Sequence, residues 1–178
     1  GAVTQTAAIT ATDLNLTGAG SFTLANTSNA VSKIIAGSNT TAVNSLDFIN
    51  SGALIVGNAS FGINATNAVQ IKTVSSNLTV AQSVSSALST ATAVTLASNT
   101  ALTANTNCDT TASGGNIIFT NPSASIAINA NANAKLFSGN PAQSTGLPSR
   151  AAYIYYNESA SIVHTKATTC NLALYRVT

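Results

Sequence analysis

Ser45-Leu46-Asp47-Phe48-Ile49-Asn50 is followed at once by Ser51-Gly52-Ala53-Leu54-Ile55-Val56-Gly57. Two short β-prone runs, each carrying an apolar-x-apolar pair, flank a Ser-Gly turn. Alternation puts Leu46 and Phe48 on one face and Asp47 on the other. The first pair recurs in both directions along the chain. Phe22/Leu24 precedes it, and Val69/Ile71, Val94/Leu96 and Ile117/Phe119 follow, each at a step of about 24 residues. A second series runs beside it at the same step, as Leu54/Val56, Leu78/Val80, Leu102/Ala104 and Ile126/Ile128. The offset between the two series is nearly constant. A repeat of this length marks stacked units, none of which buries its apolar face alone. The prediction is an all-β fold, a parallel β-solenoid of about 24 residues per coil.

Residues 1–20 read as an opening coil and residues 21–133 as the periodic body, so that 1–133 forms one solenoid. A third strand per coil is less regular, with Ile34-Ile35, Phe61-Gly62-Ile63 and Ser83-Val84 at drifting register. Asn26 and Asn50 lie one period apart at strand ends, and Asn121 follows Ile117-Ile118-Phe119-Thr120. Two readings stand for these: an internal asparagine ladder bonded from coil to coil, or ordinary turn residues. From 134 to 178 the period breaks. All four tyrosines, the only glutamate and the only histidine fall in this segment. It reads as a C-terminal, tyrosine-rich β cap or junction packed on the solenoid, with strands around Tyr153-Ile154-Tyr155 and Leu172-Ala173-Leu174-Tyr175.

Charged residues make up 6% of the chain, against roughly 25% in ordinary soluble domains. Net charge is +2 and the six cations are scattered, whereas nucleic-acid binding needs Lys and Arg gathered on one face. No apolar run reaches the roughly 18 residues of a membrane-spanning helix. The opening Gly1-Ala2-Val3-Thr4-Gln5 has no secretion-signal pattern. Low charge on a β-solenoid favours an extracellular or cell-surface location. In that setting Cys108 and Cys170 are expected to form a disulfide; in a reducing compartment they would be inert thiols. Closing that loop would stabilise the fold by about 4 kcal/mol.

The opening Ala2–Gly18 stretch resembles the repeats of large secreted exoproteins of the filamentous haemagglutinin type. Gly20-Ser21-Phe22-Thr23-Leu24-Ala25-Asn26-Thr27 and Asn50-Ser51-Gly52-Ala53-Leu54-Ile55-Val56-Gly57 are similar to them too. In the tail, Leu136-Phe137-Ser138-Gly139, Ser144-Thr145-Gly146-Leu147, Tyr156-Asn157-Glu158 and Ala173-Leu174-Tyr175-Arg176 look like a segment that follows such blocks. Those proteins are bacterial two-partner-secretion adhesins, and the resemblance covers nearly the whole chain. It implies a right-handed parallel β-helix, the hand also expected for β-crossovers. The two cysteines and the Val177-Thr178 ending depart from the family pattern.

Little in the sequence carries chemistry. Asp13, Asp47, Asp109 and Glu158 form neither an acid–base pair nor a calcium-loop spacing. His164 has no nucleophile motif to serve, and the two cysteines lack companions for a zinc site. No enzyme activity, cofactor or metal is expected. The function expected is an extracellular structural module that joins copies of itself head to tail into a surface filament. The opening coil would contribute Val3, Ile9 and Leu14, and the far end Tyr153, Ile154, Tyr155, Leu172, Leu174 and Tyr175. A tail that folds back to cap its own rod, leaving a monomer, is the rival arrangement. The rival function is an adhesin module that binds a host receptor or glycan, which calls for an aromatic or charged patch on the rod's flank.

Overall fold

The computed structural model describes residues 1–89, 92–99, 114–138, 144–146 and 155–156. Among these the chain is all-β, without helices, and every strand pairing is parallel. The strands are β1 (Ala2–Thr4), β2 (Thr10–Leu16), β3 (Ser21–Leu24), β4 (Ala30–Ala36), β5 (Ser45–Asn50), β6 (Leu54–Val56), β7 (Ile63–Ala65) and β8 (Val69–Thr73). They continue as β9 (Leu78–Val80), β10 (Val84–Ser86), β11 (Thr92–Ala97), β12 (Ile117–Phe119), β13 (Ile126–Ala127), β14 (Asn133–Ser138) and β15 (Tyr155–Tyr156).

The first sheet has the order β1-β3-β5-β8-β11-β14-β15. Its register is the one the repeat predicts: Phe22 lies beside Leu46, Leu46 beside Val69, and Val69 beside Val94. Leu24, Phe48, Ile71 and Leu96 form the neighbouring column. All eight side chains are buried. Fully burying an aliphatic or aromatic side chain contributes about 1.5–3 kcal/mol, so these columns hold the stack together.

The fifth member of that series is a correction. Ile117 and Phe119 do not follow Val94 and Leu96. They pair with Leu78 and Val80 in the second sheet. The next rung of the first sheet is Ala134/Leu136, well over one period beyond Val94/Leu96. The strand carrying it, β14, runs across the division placed at residues 133/134. The step from β11 to β12 is therefore longer than the corresponding step from β8 to β9. Ile117/Phe119 matched the repeat spacing without belonging to the first sheet. Leu102 and Ala104, read as members of the second series, lie outside the described residues.

The second sheet has the order β12-β9-β6-β4-β7-β10-β13, with β2 also pairing β4. It forks. β4 is the long strand at the fork; β6 stacks on its middle (Lys33↔Ile55, Ile34↔Val56) and β7 on its end (Ala36↔Ile63). One branch continues as β6-β9-β12 and carries Leu54, Leu78 and Ile117. The other continues as β7-β10-β13 and carries Ile63, Val84 and Ile126. The second branch is the irregular third strand of the sequence. Ile126, read as the partner of Leu102, stands beside Val84 instead.

Gly57 and Gly62 make the corner between β6 and β7. Gly57 has φ +95°, a conformation favouring glycine, and a Cβ there would lie 2.6 Å from the Cβ of Gln82. A Cβ on Gly62 would meet the carbonyl oxygen of Ser83 at 2.1 Å. At both positions the rung above comes too close for any side chain on the corner.

Candidate functional site

The two edges of the first sheet are β1 and β15. Among the described residues, β1 pairs only with β3 (Val3↔Phe22) and β15 only with β14 (Phe137↔Tyr155). Each therefore has one side of its backbone N–H and C=O groups without a strand partner. At the first edge Val3 is 44% exposed. Ile9 and Leu14 are half-buried, packed against the core from one side. These are the three residues the sequence assigned to self-association at this end. At the other end, Tyr155 occupies the edge strand itself. Tyr153, Ile154, Leu172, Leu174 and Tyr175 lie outside the described residues, as do Cys108 and Cys170 of the expected disulfide.

Amide and hydroxyl side chains bond the rungs to one another along two lines. The inner line is buried. Gln5 and Asn29 form a reciprocal amide pair: Gln5 Nε2 donates to Asn29 Oδ1 at 2.8 Å, and Asn29 Nδ2 donates to Gln5 Oε1 at 3.1 Å. Asn29 Nδ2 also donates to the carbonyls of Leu24 and Ile49, and Asn29 Oδ1 accepts from the Ile9 N–H. Asn50 comes next. Its Oδ1 accepts from the Val31 N–H at 2.8 Å and its Nδ2 donates to the Val31 carbonyl at 2.9 Å. β6 reaches back only as far as Lys33, so Val31 has no strand partner on that side; the Asn50 side chain takes the place of a strand. Thr73 lies beside Asn50. On the following rung Lys72 pairs with Ala97, and Ser98 comes next in the chain; its hydroxyl donates to the Gly115 carbonyl at 2.7 Å.

The sequence left Asn26, Asn50 and Asn121 between an internal ladder and ordinary turn residues, and the structure divides them. Asn50 belongs to the buried line. Asn26 and Asn121 are turn residues whose Oδ1 atoms accept from the N–H groups of Ser28 and Ser123, and Asn121 Nδ2 also donates across rungs to Gln82 Oε1 at 3.5 Å, outside that line. The missed members are Gln5 and Asn29. Their spacing of one period is a usable signal, but Asn26 and Asn50 share the same spacing.

The outer line joins Ser21, Asn44 and Asn67, all half-buried. Asn44 Nδ2 donates to Ser21 Oγ at 2.6 Å, and Asn67 Nδ2 donates to Asn44 Oδ1 at 2.7 Å. Charge plays a small part. Lys33 and Asp13, register partners on β4 and β2, form an ion pair at 2.9 Å on the exposed face. Asp47 points away from the Leu46/Phe48 columns, and its Oδ1 is shielded from solvent and accepts no hydrogen bond from the described residues. Among the described residues no three His, Cys, Asp or Glu side chains come together, and no helix is long and apolar enough to cross a membrane. Among the described residues the rung-to-rung lines are built from amides and hydroxyls, which both donate and accept hydrogen bonds.

Compared with protein-family models, curated proteins and solved structures, the chain matches none.

Proposed function

We propose that the chain is a right-handed parallel β-solenoid, built from coils of about 24 residues, that serves as an extracellular structural module joining copies of itself end to end into a surface filament. The observation that carries this reading is the polarity of the first sheet. All seven strands run the same way, with β1 at one edge and β15 at the other. A second copy placed with its β1 against β15 would continue the sheet with the same strand direction. Because the two surfaces differ, the contact repeats without closing and builds a filament. A new rung over Val3, Ile9 and Leu14 would finish burying three apolar side chains, contributing on the order of 1 kcal/mol each. Charged residues, the usual brake on such growth, are 6% of the chain. The likeness of the repeats to filamentous haemagglutinin-type exoproteins supports the same reading, with residues 134–178 as the junction.

Sedimentation velocity and electron microscopy of the purified chain test it. Rods that lengthen with protein concentration are expected, and Val3→Lys together with Ile9→Lys should return them to single units. Strict monomers at high concentration would show that the tail caps its own rod.

A further inference from the structure

We propose that the groove at the β6–β7 corner and the neighbouring start of β10 is a binding site for a neutral saccharide. A groove with a volume of about 340 Å³ lies there, within the range of small-ligand sites. Three successive rungs build it: the loop after β4 brings Asn39, the β6–β7 corner brings Ser60 and Phe61, and the rung above brings Gln82 and Ser85. Asn64 of β7 lies between them, and Gly62 lines the groove where a Cβ would strike the Ser83 carbonyl.

Three features select the ligand class. First, no lining residue is charged, so an ionic ligand would leave water for a site with nothing to pair it. Second, the polar groups are amides and hydroxyls, which both donate and accept, as a sugar hydroxyl does. Two of the amides are held by rung-to-rung bonds that leave capacity over. Gln82 Nε2 donates to the Ala59 carbonyl at 3.2 Å and Asn64 Nδ2 to the Ser38 carbonyl at 2.8 Å. Each nitrogen has a second N–H, and the first bond fixes its direction, which lowers the ordering cost of binding. Third, Phe61 is half-buried at the groove, on a turn pinned by Asn58 Oδ1, which accepts from the N–H groups of Ser60 and Phe61 at 2.8 and 2.7 Å. An aromatic ring on a fixed turn beside the groove can offer its π density to the C–H groups of a sugar ring. The groove lies on the flank, away from β1 and β15, so this inference stands apart from end-to-end growth.

The test is a nuclear magnetic resonance titration of the full chain with maltotriose, cellotriose and chitotriose, and with a heparin hexasaccharide as the acidic comparison. At least one neutral trisaccharide, at about 10 mM against a millimolar dissociation constant, should shift the side-chain amides of Asn39, Asn64 and Gln82 and the ring of Phe61. Phe61→Ala should weaken binding at least about tenfold and Asn39→Ala about threefold, with the backbone spectrum elsewhere unchanged. Phe61→Tyr should retain binding. Absence of groove shifts with every neutral trisaccharide, tighter binding of heparin, or equal binding by Phe61→Ala would each overturn the proposal.

Discussion

Asn50 and Asn67 are the same side chain on neighbouring rungs, each directing its amide to the rung below. They differ in what that amide replaces. Asn50 is 1% exposed and supplies both a donor and an acceptor to the backbone of Val31, which no strand reaches from that side. Asn67 is half-buried and bonds another side-chain amide, Asn44, with water close at hand. A hydrogen bond adds about 1 kcal/mol net, whereas a buried backbone group left without a partner costs about 1–3 kcal/mol. Position alone therefore turns an accessory bond into a necessary one.

The comparison breaks first at Asn50. Asn50→Ala orphans the N–H and the carbonyl of Val31 together, and should cost about 3 kcal/mol. Chemical unfolding followed by circular dichroism would measure it, and hydrogen exchange should show the Val31 amide losing protection. A loss below about 1 kcal/mol would mean that water enters and serves Val31 as well as the amide does.

Asn67→Ala sharpens the contrast. It removes one partly solvated bond and should cost about 0.5–1 kcal/mol by the same measurement. If it equals Asn50→Ala, burial is not what separates the two lines.

Smallest of all should be Lys33→Gln. The Lys33 and Asp13 side chains are 32% and 56% exposed, in the range where ion pairs contribute about 0–1 kcal/mol. A double-mutant cycle with Asp13→Asn should give a coupling of about 0.5 kcal/mol or less, fading as salt is added.

The end-to-end reading and the flank groove divide along the same line between buried structure and exposed surface. Val3, Ile9 and Leu14 were legible because they carry apolar alternation into the rung that holds β1 and β2. Phe61 was legible only as part of an irregular third strand. Nothing in Phe61-Gly62-Ile63 shows that the ring stands beside Asn39 and Gln82, since those residues meet only when three turns stack.

What the sequence determined by itself is the inward set. Phe22, Leu46, Val69 and Val94, with Leu24, Phe48, Ile71 and Leu96, are fixed by two local rules: side chains alternate across a strand, and apolar faces seek one another. Leu54/Val56 over Leu78/Val80 follows in the same way. Only the tertiary structure decided which rung an apolar pair joins once the period slips. Ile117/Phe119 and Ala134/Leu136 are chemically equivalent candidates for the place beside Val94/Leu96, and spacing favoured the wrong one. β12 joins the second sheet before β14 takes the place beside β11. The choice between Asn26 and Asn29 has the same origin. Both lie near one period from Asn50, and the one whose amide meets buried carbonyls is set by the length of the turn between Leu24 and Ala30. Alternation is written into each strand, but register across a stack is a sum over every intervening turn, and that sum is settled only by packing.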